Sequence, residues 1–162
     1  MYNLVNWVYP FGEEDERFRE KLCEYIATGI IFNDNLFESR MDFEQRYQKY
    51  LPEKLNTFCY GVSGSEAVEH ALMIAEWVTN KSRFMFFSGA YHGSSICLLD
   101  VTYPDKFSNS SRFEFTEVAP PYCYRCGKKC NNYKCIDEIF DNIMVGNDIA
   151  AIIIDPSFGN IL

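Results

Sequence analysis

Residues 63–66, Ser-Gly-Ser-Glu, bring two hydroxyls, a glycine and a carboxylate to the point where a β-type pattern gives way to a helical one. A helix start leaves backbone N–H groups unpaired and carries partial positive charge, so amides and a nearby hydroxyl can hold a phosphate there. Ser63 and Glu66 also have the S-x-x-E spacing of a capping box, which predicts that the helix begins at this turn. The same spacing serves plain capping with no ligand. A second group follows in Ser88-Gly89-Ala90-Tyr91-His92-Gly93-Ser94, where an aromatic ring and an imidazole sit in a loop of small residues after an apolar run. A third is the series Cys123, Cys126, Cys130 and Cys135, four thiols that could make a tetrahedral zinc site. Structural zinc sites set two short pairs apart by a longer stretch, and that separation is missing here. No metal is therefore assigned, and zinc at 123–135 stays an alternative.

Elements must carry these groups. Phe58, Tyr60 and Val62 predict a strand over 57–62. Ala67, Ala71, Ile74, Ala75 and Val78 predict a helix over 65–79 with a narrow apolar face, and Arg83 to Phe87 a second strand. Upstream, Phe18, Leu22, Tyr25 and Ile26 give an amphipathic helix over 13–27; Phe43, Tyr47 and Tyr50 give another over 42–51, with Asp42 as its N-cap. Residues 93–101 read as a further helix, 103–134 as an irregular tract, and Ile136 to Val145 as a helix. Residues 149–154 are apolar on both faces, as parallel strands are. Alternating β and α elements predict layered α/β architecture. Both small-residue loops then follow carboxyl ends of strands, where open α/β sheets bind ligands. The expected organisation is one partial domain over 1–162, with an N-terminal helical segment at 1–55 and a ligand-binding part at 56–162.

Composition sets the bounds. A chain of 162 residues, 48% hydrophobic, 17% aromatic and 23% charged, is globular and long enough for a core. A net charge of −8 argues against nucleic acid as a partner, since phosphate backbones demand clustered Lys and Arg. Apolar runs such as 149–154 are too short to cross a bilayer, so no membrane partner is expected. Residues 1–6 show neither a basic n-region nor an apolar signal core. With seven cysteines, an odd number, reduced thiols in a cytoplasm are the simpler expectation.

Four segments, in order, resemble the class III family of pyridoxal-phosphate-dependent aminotransferases. They are Ser63-Gly64-Ser65-Glu66-Ala67; Gly89-Ala90-Tyr91-His92-Gly93; Pro121-Tyr122-Cys123-Tyr124-Arg125-Cys126; and Ile152-Ile153-Ile154-Asp155-Pro156 with Gly159-Asn160. The resemblance implies a three-layer α/β sandwich with a mostly parallel sheet, part of the large domain of a fold type I transferase. It implies pyridoxal 5′-phosphate as cofactor, its phosphate held at Gly64 and Ser65, its ring packed by Tyr91, with His92 and Glu66 in support. Asp155 stands where the family usually has glutamate and implies a role in gating substrate; Phe158 replaces a common glutamine. The family's Schiff-base lysine and pyridine-nitrogen aspartate fall downstream of the Asp-Pro strand, so no catalytic residue is assigned in this chain, and these residues alone are expected not to transaminate. The implied reaction moves an amino group between an amine or amino acid and an oxo acid, in a homodimer. The alternatives are a non-catalytic remnant or interaction protein of the same fold, and a zinc-binding module at Cys123–Cys135.

Overall fold

Five consecutive residues, Arg-Phe-Met-Phe-Phe, form the central strand of a three-stranded sheet. The computed structural model describes residues 15–29, 38–107, 111–121, 136–137, 139–141 and 148–156. Contacts divide the chain into two units, Met1–Thr57 and Phe58–Leu162.

The first unit holds two helices. α1 runs Glu16–Ala27, opened by Asp15, whose side chain accepts the Phe18 N–H at 2.9 Å. α2 runs Glu38–Gln48. Asp42 is therefore not its cap: the helix starts four residues earlier, and Asp42 pairs with Arg46 one turn on at 2.9 Å. That pair satisfies the carboxylate within the helix, where an i, i+4 partner is in reach. Neither helix has a buried residue.

The second unit begins with residues 58–62, which form no strand. β-propensity pairs only with a neighbour, and none of the described strands runs beside this segment. Phe58 and Tyr60 stack on each other instead, and Val62 is 98% exposed. α3 follows at Gly64–Thr79, closed by Asn80 in the left-handed region. It buries Leu72, with Val68 and Ala75 packed on the core, whereas Ile74 and Val78 are exposed. The helix is apolar nearly all round, so periodicity alone selects the wrong stripe.

β1 (Arg83–Phe87) is the centre of a three-stranded sheet, between β2 (Glu114–Val118) and β3 (Ile149–Ile153), both parallel to it. Phe84, Met85 and Phe86 are buried, as a central parallel strand covered on both faces requires. Phe84 meets Phe113 edge to face at 5.1 Å, an arrangement that suits the ring quadrupoles. A short 3-10 turn, Ile96–Leu98, leads into α4 (Leu99–Thr102). Helical structure thus begins three residues later than the sequence predicts, because the Tyr91–Ser95 loop must first return from the sheet. Leu98 and Val101 complete the core. β2 lies inside the tract expected to be irregular. Residues 136–137 and 139–141 are helical as expected; the remainder of 136–145 lies outside the described residues.

Candidate functional site

The start of α3 is shaped by its own side chains. The Ser63 hydroxyl accepts the Glu66 N–H at 3.2 Å, and the Glu66 carboxylate reaches back to the Val62 N–H. Helix geometry gives the first amides no carbonyl partner. With Glu66 N taken by Ser63, the amides of Gly64 and Ser65 remain for a ligand. A Cβ placed on Gly64 would meet nothing within 4 Å, so this side of the turn is open. A Cβ on Gly61 would stand 2.9 Å from Glu66 Oε2, so glycine at 61 lets that carboxylate close the turn from behind.

The loop after β1 lands on this helix start. Ser94 N–H donates to Ser65 Oγ at 3.2 Å, which leaves the Ser65 hydroxyl proton to donate elsewhere. Ser95 Oγ donates to Glu69, one turn further along α3. Gly93 has φ +127°, and a Cβ there would lie 2.5 Å from Ser65 Oγ and 2.8 Å from Leu98 Cδ1. Only glycine supplies both that backbone angle and that closeness. Tyr91, just before it, keeps 45% of its surface exposed.

His92 turns inward and is 7% exposed; its Nε2 is buried without a hydrogen-bond partner. Burial pulls its pKa below the ordinary imidazole value, and the charge of Asp155 works against that shift. Asp155 follows β3 as the Tyr91 loop follows β1, so both stand beyond carboxyl ends of adjacent parallel strands.

The structure thus brings together Ser65 with the Tyr91–Ser94 loop, and His92 with the field of Asp155. Glu66 is turned back towards Val62. Thr102, which no sequence motif singles out, joins this group: it is buried, accepts the His92 N–H at 3.3 Å and donates to Gly93 O at 2.5 Å. Cys123, Cys126, Cys130 and Cys135 lie outside the described residues. Among the described residues no group of three or more His, Cys, Asp or Glu is placed to hold a metal. A cavity of about 470 Å³ lies by β2, lined by Phe86, Asp100, Phe107, Arg112 and Phe115 among others, and includes none of these site residues. No described helix is long and apolar enough to cross a membrane.

A parallel α/β sheet with a helix start and an aromatic loop gathered at one end is the layout of a fold type I transferase. The family described as aminotransferase class III matches residues 6–161, and the chain belongs to that family, whose coenzyme is pyridoxal 5′-phosphate. Glutamate-1-semialdehyde 2,1-aminomutase of Wigglesworthia glossinidia brevipalpis is 29% identical over 151 residues, covering 92% of this chain and 34% of that protein. A 5-aminovalerate aminotransferase of Pseudomonas aeruginosa is 35% identical over 102 residues, covering 60% of this chain and 24% of its own length. Among solved structures, an (S)-enantioselective omega-transaminase from Thermomicrobium roseum aligns with a TM-score of 0.74 at 20% identity, over 92% of this chain and 38% of that one. The chain spans between about a quarter and a third of the length of such curated relatives.

Proposed function

We propose that these residues form the phosphate-and-ring half of a pyridoxal-phosphate site in an aminotransferase that moves an amino group between an amine or amino acid and an oxo acid. The observation that carries the reading is the meeting of Ser65 with the Tyr91–Ser94 loop through Ser94 N–H. That bond ties the loop carrying the half-exposed Tyr91 to the helix start, which supports reading the two as one site. The residues present fit the group: space is open beside Gly64, the first helical amides have no carbonyl partner, and the Ser65 hydroxyl has a proton to give. When bound, the coenzyme supplies an electron sink for the carbon that loses or gains the amino group. The chain's own residues bind and orient. Gly64 and Ser65 hold the phosphate, and Tyr91 covers one ring face. Glu66 keeps the turn closed, while neutral His92 fills the space behind the ring loop. Asp155, one methylene shorter than the family's usual glutamate, gates substrate from the end of β3. The homodimer and the cytoplasmic setting expected from the sequence belong to the same proposal.

Equilibrium binding of pyridoxal phosphate and of pyridoxal to the chain tests it. The phosphorylated form should bind the tighter, and Ser65→Ala should weaken it by about tenfold, the worth of one hydrogen bond to a charged group. Equal affinity for the two forms would overturn the cradle.

A further inference from the structure

Thr102 sits ten residues beyond His92 at the end of α4, yet its hydroxyl contacts the loop backbone on both sides of one peptide. It accepts from His92 N at 3.3 Å and donates to Gly93 O at 2.5 Å. A single hydroxyl used as acceptor and donor at once clamps the two peptides on either side of the His92–Gly93 link, Tyr91–His92 through its N–H and Gly93–Ser94 through its C=O. Thr102 is itself held still. It is 8% exposed, and it follows Leu98 and Val101, two of the most buried residues of the core. Gly93 is trapped from the other side between Ser65 Oγ and Leu98 Cδ1. The two chain neighbours of the clamped link differ in kind: Tyr91 is left half exposed, whereas Ser94 is fastened to the first turn of α3. The loop is therefore anchored at 92–95 and presents Tyr91 from that anchor.

We propose that Thr102 is a positioning residue: by clamping the Tyr91–His92 and Gly93–Ser94 peptides, its hydroxyl sets where the Tyr91 ring stands relative to the Gly64–Ser65 helix start. The inference rests on the coenzyme site proposed above. The phosphate contacts proposed above, Gly64 and Ser65, both belong to α3, whereas the ring contact, Tyr91, belongs to the loop. Thr102 therefore acts on one ligand and not the other, which a general loss of stability would not do.

The experiment has one arm without ligand and one with. In the ligand-free chain, amide hydrogen exchange should show the His92 N–H protected. Thr102→Val should lose that protection at 92–94 while α3 and β1 keep theirs, and Thr102→Ser should restore it. With ligand, Thr102→Val should weaken pyridoxal phosphate by about fivefold, as loss of a hydrogen-bonded hydroxyl does. Inorganic phosphate should bind Thr102→Val as it binds the parent, and Thr102→Ser should bind both as the parent does. An unprotected His92 amide in the parent overturns the brace whether or not the valine variant folds. Equal weakening of phosphate and coenzyme, or failure of the serine variant to rescue, overturns it too. A protected loop in a parent that binds no pyridoxal phosphate removes the coenzyme reading and with it the positioning role, a result distinct from failure of the brace itself.

Discussion

The two units use the same amphipathic grammar with opposite results. In Met1–Thr57, α1 carries Phe18, Leu22, Tyr25 and Ile26 at helical spacing, and each stays roughly half exposed. In Phe58–Leu162, residues of β1 and of the turn leading into α4 reach complete burial, with Phe84 and Leu98 at 0% exposure. Pattern suggests an element's type and which face is apolar, no more. Burial requires a partner on each face, and β1 has two strands beside it and the α3–α4 residues packed against it. Stability is therefore concentrated in the second unit, next to the site.

The sharpest way to break that contrast is a pair of truncations. Phe84→Ala should cost about 3–5 kcal/mol in denaturant unfolding, since it removes a fully enclosed ring that also meets Phe113. Phe18→Ala should shift the midpoint by no more than about 0.5 kcal/mol, as surface changes do. Equal effects would mean the α1 face has a partner of its own.

Glycines give the next comparison. Gly29, at φ +73°, and Gly93, at φ +127°, both occupy left-handed backbone, but a Cβ meets nothing at the first and Ser65 and Leu98 at the second. Gly29→Ala should cost about 1 kcal/mol, from backbone strain alone. Gly93→Ala should cost about 3 kcal/mol and detach the loop from Ser65, because strain and overlap combine. Thermal melts with exchange at Ser94 would read both.

The smallest effect is a pH dependence confined to the second unit. His92 binds its proton less readily when folded than when unfolded, since burial lowers its pKa from the ordinary 6.5. Its contribution is then constant above about that value and is lost as pH falls below it, because the unfolded chain takes up the extra proton. Melting temperatures should fall between about pH 7 and 5, and His92→Gln should flatten that slope. A slope unchanged by the substitution would assign it to other groups.

Much of the site was legible because its signals are local. The Ser63–Glu66 capping box spans four residues and forms as spacing predicts. β1 and β3 announce themselves as short apolar runs. Failures arise where the deciding contact is remote. Residues 57–62 have strand composition but no described neighbour to pair with. β2 carries only a broken alternation: Phe113, just before it, and Phe115 turn to the core and Glu114 outward, but Glu117, on the same parity as the two rings, is exposed as well. That signal is brief, and the surrounding tract of turn-forming residues hides it. Thr102 is beyond reach of any pattern, since its importance lies in a peptide ten residues away. Asp42 shows the reverse error: a good capping residue is captured by an arginine inside a helix that had already begun.

Arg83 has a consequence for how the sheet can move. At the opening residue of the central strand, its Nε donates to Thr116 on β2 at 2.9 Å and its Nη1 to Asp148 before β3 at 2.8 Å. The three strands are riveted there like the ribs of a fan. At the opposite rim Ser88 N–H and its hydroxyl both donate to Val118 O, so β1 and β2 are pinned at both ends, and the loops that carry Tyr91 and Asp155 leave from a stiff edge.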